Sequence, residues 1–248
     1  MKIHDDIEII DLGLKYKDVF ILSDLHLGYE EAKMKEGLLL PRFQFKDIYE
    51  RLEKIFAKIK VKKIIITGDL KHEFGIISEQ EWRDIRKILS FLQEHGEVIV
   101  LKGNHDVNLS PIANKVDFKI LERYDVDDIT ILHGDRIEED LNDLIIIGHE
   151  HPSISFQGRP DKYKCFLKGK YKKHVLIVLP SFNPLIEGSD ITKEKTLSPY
   201  LEDIKNFEIY IVEDKVYPKL KQGDTNISNS DDLSEALYFG KLKNLRST

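Results

Sequence analysis

Six short apolar runs punctuate the chain, and the way five of them end limits what it can become. The runs are Val19–Leu22, Ile64–Ile66, Val98–Leu101, Ile129–Leu132, Leu144–Ile147 and Val175–Leu179. They are rich in Ile and Val and lack strict polar alternation, which is the pattern of strands buried on both faces. A hydrophobic fraction of 41% over 248 residues supplies a sizeable core for one large domain with a small appendage.

Two stretches between the first three runs carry helical periodicity. Phe45, Ile48, Leu52, Ile55, Phe56 and Ile59 recur at spacings of three and four and predict one apolar helix face. A second helix is predicted from Ser78, where Glu81 completes a capping box, through Ile85, Ile88, Leu89 and Leu92 to a stop at Gly96. Strand and helix alternate first, and the later strands follow one another closely. That order predicts an α/β chain with a second, more antiparallel sheet. Ile7–Lys15 reads as an extra edge strand. Phe207–Val212 and Lys215–Tyr217 read as a hairpin around Glu213-Asp214, Lys221–Asp232 as a mobile polar linker, and Leu233–Leu245 as a short terminal helix. The expected organisation is a main domain over residues 1–190 and a C-terminal extension over 191–248.

The first five runs end directly in groups able to bind metal. Leu22 leads into Ser23-Asp24-Leu25-His26, and Ile66 into Thr67-Gly68-Asp69. Leu101 leads through Lys102 into Gly103-Asn104-His105-Asp106. Leu132 leads into His133-Gly134-Asp135, and Ile147 into Gly148-His149-Glu150-His151. Any one of these alone reads as a turn or a satisfied histidine. Five at matching strand ends, in order, place the groups along one rim, where open α/β sheets carry their sites.

These motifs resemble the calcineurin-like metallophosphoesterase superfamily over residues 18 to about 184. Ser23-Asp24-Leu25-His26-Leu27-Gly28, Gly68-Asp69-Leu70-Lys71-His72-Glu73-Phe74 and Gly148-His149-Glu150-His151-Pro152 look more narrowly like an archaeal branch. That branch is similar to bacterial phosphoesterases associated with DNA ligase and helicase partners. The resemblance implies a four-layer α/β/β/α sandwich, two packed mixed sheets flanked by helices, with residues 1–190 as the catalytic domain. It also implies two divalent metal ions. Asp24, His26 and His151 would hold one, Asn104, His133 and His149 the other, and Asp69 would bridge them. His105 would stand beside the leaving oxygen.

The residue chemistry agrees with that assignment. Two metals about 3.5–4 Å apart can share a hydroxide for in-line attack and clamp both attacking and leaving oxygens. Asn104 contributes an oxygen without a charge, so two cations against Asp24, Asp69 and a hydroxide leave the pocket positive. Four histidines with oxygen ligands favour Mn²⁺, Fe²⁺, Zn²⁺, Co²⁺ or Ni²⁺ over Ca²⁺ or Mg²⁺, and the resemblance points to Mn²⁺. His105 is the expected proton donor to the leaving group, oriented by Asp24 or Asp106, a role worth about 10²–10⁴-fold. The position three after Asp69, often a carboxylate in the superfamily, is His72 here. His72, Lys71 and Arg42, and also Arg136, are candidate phosphate contacts. Pro180-Ser181-Phe182-Asn183-Pro184 is expected to be a rigid loop near the rim.

The expected activity is phosphodiester hydrolysis, in the manner of a nuclease, on a nucleic acid or nucleotide. A phosphomonoesterase on the same site and a non-catalytic scaffold are the alternatives. The formal net charge of −6 advertises no nucleic-acid surface, so phosphate affinity must be local. The single cysteine fits a reducing compartment, nothing at the N-terminus reads as a signal peptide, and no apolar run approaches the ~20 residues of a membrane span. A cytoplasmic monomer or homodimer is expected, with a DNA-repair helicase or ligase as candidate partner.

Overall fold

The computed structural model describes residues 1–38, 42–73, 78–107, 109–113, 115–156, 161–213 and 234–244. Seven strands form the first sheet, in sequential order: β1 (Lys2–His4), β2 (Ile7–Ile10), β3 (Gly13–Tyr16), β4 (Val19–Leu22), β5 (Lys63–Ile66), β6 (Glu97–Leu101) and β7 (Lys119–Leu121). β1 to β4 pair antiparallel and β4 to β7 parallel. The parallel half is fed by α1 (Tyr29–Lys35), α2 (Gln44–Lys58) and α3 (Glu79–Gln93); α4 (Ser110–Ala113) is one turn. α3 begins in the expected capping box between Ser78 and Glu81. Ile48, Leu52, Ile55 and Phe56 of α2 and Ile85, Ile88, Leu89 and Leu92 of α3 are buried against this sheet.

The second sheet holds β8 (Arg123–Val126), β9 (Ile129–Leu132), β10 (Leu144–Ile147), β11 (Pro152–Ser155), β12 (Lys162–Tyr171), β13 (His174–Val178), β14 (Ser189–Asp190), β15 (Glu208–Glu213) and β16 (Glu235–Lys241). β9, β10 and β13 run parallel, while β8, β12, β15 and β16 join antiparallel. The sheet is therefore mixed, as expected. Its strands bury both faces with a period of two. Ile129, Ile131, Leu144, Ile146 and Ile177 share one core with the first sheet and its helices. Ile145, Ile147, Leu176 and Val178 face a second core closed by Ile191, Tyr200, Leu201, Ile204 and Phe207. That outer cover is a run of turns over 191–207.

Three local expectations are corrected. Ile7–Lys15 is two strands, β2 and β3. Asp11 adopts a left-handed φ of 55°, and its carboxylate accepts the Leu12 N–H at 2.8 Å, folding the segment into a hairpin. Residues 235–241 form a strand, not a helix, because β15 offers them a free edge, with Val212 opposite Ala236 and Tyr210 opposite Tyr238. His174, which has no motif around it and on sequence alone reads as a surface residue, is buried with Nδ1 2.7 Å from the Asn142 carbonyl. The expected strand at 215–217 and the linker at 221–232 lie outside the described residues. No described helix is long and apolar enough to cross a membrane.

Candidate metal centre

Register brings the strand ends level. Leu22 pairs with Ile66, Ile66 with Val100, and Leu132 with Ile147. Beyond the strands the loops continue to pair: Asp24 N–H donates to the Gly68 carbonyl at 3.2 Å, His26 N–H to Asp69 O at 2.9 Å, and Gly148 N–H to His133 O at 2.9 Å. The two sheets meet here, because His149 N–H donates to Asp24 Oδ2 at 3.1 Å. Asp24, His26, Asp69, His149 and His151 all take positive φ, between 41° and 64°. Five non-glycine residues in the left-handed region at one place mark a site held against local strain.

Three groups of metal-ligating side chains result among the described residues: Asp69 belongs to two of them, and His26, His72 and His105 form the third. Asp24, His26, Asp69 and His151 present donor atoms within 4.8 Å of one another, as do Asp69, His133 and His149. In the first, His151 Nε2 lies 3.2 Å from Asp24 Oδ1 and His26 Nε2 3.6 Å from Asp69 Oδ2. In the second, His133 Nε2 lies 3.5 Å from Asp69 Oδ2, 3.0 Å from Asn104 Oδ1 and 3.2 Å from His149 Nδ1. Every residue expected to bind metal is thus in one of two adjoining clusters. The fit to a cation has a further sign: buried Asp24 Oδ1 is left without a well-aligned hydrogen bond, facing His151 Nε2 at 3.2 Å, a costly state for a carboxylate unless a cation meets it.

The surroundings fix the ligands. His133 Nδ1 is held by the Thr67 carbonyl at 2.8 Å, which leaves Nε2 to the cluster. Ser23 Oγ donates to Asp24 Oδ2 and accepts from Thr67 Oγ1 at 2.5 Å. Gln44 Nε2 donates to the His26 carbonyl at 2.7 Å. The loop after β13 braces the same turn: Phe182 N–H donates to Ser23 O at 2.8 Å and Ser181 Oγ to Asp24 O at 2.7 Å. Sequence reading placed that loop near the rim, but nothing in the sequence marks Thr67, Ser23 or Gln44 as supports.

His105 is half-buried, with Nε2 4.0 Å from Asp69 Oδ2 and Nδ1 donating to the His72 carbonyl. The orienting group is therefore a backbone carbonyl, not Asp24 or Asp106. Asp106 instead accepts Leu70 N–H and Gly103 N–H, each at 3.1 Å, and ties the two loops together. His72 lies in the cluster, Nδ1 3.4 Å from His26 Nδ1. Lys71 is buried, and its ammonium donates to the Glu73 carbonyl. Arg42 is exposed at the start of α2, and Arg136 pairs with Glu122 and Glu138 at 2.5 and 2.9 Å. Neither arginine joins the cluster.

Burial, then the charges of Asp24 and Asp106, push the Asp69 carboxyl up to about 9. Burial acts the same way on Asp24, but His151, His133 and His26 outweigh it and hold that group below the usual carboxylate range. Burial, with His133 alongside, pushes His149 down to about 4, and it drives His26 well below its ordinary value. His26 and His149 are therefore biased towards the neutral form that ligates metal. In the metal-free protein Asp69 keeps a proton that its unfolded counterpart, at about 3.9, would lose. A raised carboxyl makes stability fall as pH rises from about 3.9 to about 9. A metal ion replaces that proton, so the melting-temperature gain on adding Mn²⁺ is expected to grow from about pH 5 to about pH 8. Scanning calorimetry with and without Mn²⁺ checks this; a gain that shrinks across the range contradicts it.

Two glycines permit the close approach. A Cβ at Gly103 would lie 2.2 Å from Asp69 Oδ1, and one at Gly148 1.8 Å from Ser23 Oγ. Gly103→Ala is expected to displace Asp69 and weaken metal binding by about 10–100-fold, the range for disturbing groups that orient ligands. Titration calorimetry with Mn²⁺ measures it, and unchanged affinity contradicts it.

Known proteins place this geometry. A stretch of 121 residues, 44% of this chain, is 32% identical to the DNA polymerase II small subunit of Methanocaldococcus jannaschii, of which it covers 20%. The crystal structure of the Pseudomonas putida nuclease MPE is 19% identical, with a TM-score of 0.60 over 83% of this chain and 91% of that one, a likeness of fold. The model of the calcineurin-like phosphoesterase family matches residues 18–212. The chain belongs to that family.

Proposed function

We propose that the protein hydrolyses phosphodiesters, with a nucleic acid or nucleotide as the natural class. The observation that carries this is the charge of the site walls. Among the described residues Asp24 and Asp69 pair only with histidines, and no lysine or arginine joins them. A monoester dianion calls for an added cationic fork beyond the metals. A diester carries one charge fewer and suits a centre whose two carboxylates have no lysine or arginine paired to them among the described residues, Lys71 acting on Asp69 only through its field while its ammonium sits on the Glu73 carbonyl. The names of the nuclease of similar fold and of the DNA polymerase subunit support a nucleic-acid setting and a DNA-handling partner.

In this reading Asp24, His26 and His151 hold one ion, Asn104, His133 and His149 the other, and Asp69 both. The mixed imidazole and oxygen donors admit Mn²⁺, Fe²⁺, Zn²⁺, Co²⁺ or Ni²⁺ alike, and Mn²⁺ is the proposed ion on the family resemblance. When bound, the ions supply Lewis acidity and lower the pKa of water. Asp69 fixes the distance between the two ligand sets, and Oδ1 accepts His105 N–H at 2.9 Å, aligning that loop with the centre. With Nδ1–H on the His72 carbonyl, His105 can give a proton from Nε2 to the leaving oxygen only as the imidazolium, the form that burial disfavours and that a negative charge developing on the leaving oxygen would favour. Turnover of bis-(nitrophenyl) phosphate and nitrophenyl phosphate with Mn²⁺ tests the proposal. The diester is expected to have the higher kcat/KM; a strong monoester preference overturns it.

A further inference from the structure

A row of rings runs outward from the metal centre on the side of His105. The His26 ring centroid lies 4.8 Å from that of His105 and 5.4 Å from that of His72, His105 and His72 lie 5.4 Å apart with planes inclined by 22°, and His72 and Tyr29 lie 5.0 Å apart. His105, His72 and Tyr29 are each half-buried, so the row reaches from the buried ligands to solvent. Tyr29 opens α1 directly behind the ligand turn, and its N–H donates to the His26 carbonyl at 3.2 Å. Its backbone is therefore tied to the centre while its ring extends the wall.

The direction of this wall matters. His105 Nε2 points to the centre and Nδ1 away from it, onto the His72 carbonyl. A leaving oxygen that takes its proton from Nε2 is attached to an organic group that must exit past His105. His72 and Tyr29 are what that group meets. One face of His72 is stacked on His105 and the Lys33 ammonium stands 5.7 Å from the Tyr29 ring centroid, so what the two half-buried rings offer is their remaining surface; aromatic surface binds planar groups by stacking and dispersion and discriminates little against sequence. They offer no forked cation of the kind that grips phosphate.

We infer that Tyr29 and His72 form a subsite for the nucleoside that departs, making Tyr29 a specificity-determining residue on the leaving-group side. This rests on the diester reading above. In the step, the bond from phosphorus to the nucleoside oxygen breaks and water's oxygen joins phosphorus. A proton passes from Nε2 of the His105 imidazolium to the departing oxygen, leaving the ring neutral with Nδ1–H on the His72 carbonyl, and the proton that water loses restores the imidazolium.

The methyl ester of thymidine 5′-phosphate provides an internal competition, because either thymidine or methanol can leave. With Mn²⁺, the wild-type protein is expected to release mainly thymidine and methyl phosphate. Tyr29→Ala and Tyr29→Leu should shift the thymidine-to-methanol ratio towards methanol by at least about five-fold, the low end of one stacked base. Tyr29→Phe should keep the wild-type ratio. A ratio is independent of how much protein is folded or loaded, and Tyr29→Leu decides the matter if Tyr29→Ala does not fold. In parallel, the substitution to Leu should raise KM for a dinucleoside phosphate, a single-stranded oligonucleotide, or both, according to the source of the nucleoside. A wild-type preference for methanol release, or a ratio unmoved in Tyr29→Leu, overturns the inference. Failure of the wild type to cleave any diester would instead overturn the reading beneath it.

Discussion

Asp69→Asn is expected to abolish measurable turnover, a loss beyond the ~10²–10⁴-fold range of a missing general acid, while the metal-free protein stays folded. Asp69 Oδ2 lies 3.6 Å from His26 Nε2 and 3.5 Å from His133 Nε2, so it is the group both ligand sets have in common. An amide retains the shape and one acceptor oxygen for His105 N–H. It loses the charge that two cations need between them. In the metal-free state that charge is a liability, since burial and the charges of Asp24 and Asp106 already hold a proton on Asp69 up to about pH 9. The variant should therefore melt at or above the wild-type temperature without metal and gain little when Mn²⁺ is added. Stability and activity moving in opposite directions is the signature of a functional charge held in an unfavourable place. Calorimetry and metal content read both halves; wild-type turnover in Asp69→Asn contradicts the assignment.

His105→Ala should lower kcat by about 10²–10⁴-fold on an alkyl diester and leave metal content unchanged. The ring is anchored outside the ligand set, on the His72 carbonyl, and its Nε2 only approaches Asp69. The loss should be much smaller on a nitrophenyl ester, because nitrophenolate departs without a proton. That contrast separates proton donation from simple phosphate binding, which would weaken both substrates equally. Steady-state kinetics on the two esters decides it. Equal losses would make His105 an anion contact only.

The site was legible because its chemistry abuts its architecture. Leu22, Ile66, Leu101, Leu132 and Ile147 each end an Ile/Val-rich strand just before the metal-binding groups, so finding the strands also found the ligands. The supports were not legible. Thr67 and His72 act through backbone carbonyls, which carry no side-chain signal. Gln44 reaches the His26 carbonyl from the first turn of α2, a contact set by how the helix lies on the sheet. Lys71 looked like a phosphate contact because of its charge, but its ammonium turns back to the Glu73 carbonyl and is closed to solvent.

Errors in the fold have the same origin. Residues 233–245 carry enough Leu and Ala to read as a helix. What makes 235–241 a strand is the free edge of β15, whose register places Tyr210 opposite Tyr238, a pairing no local pattern encodes. The hairpin at Ile7–Tyr16 is the opposite case, since Asp11-Leu12-Gly13 is a turn signal that a longer apolar alternation concealed.

The central claim is that Asp69 joins two metal ions. Anomalous diffraction from crystals grown with Mn²⁺ tests it most directly. Two peaks about 3.5–4 Å apart, one beside Asp24, His26 and His151, the other beside Asn104, His133 and His149, with one Asp69 oxygen between them, is the predicted result. One peak, or two that do not share Asp69, would contradict it.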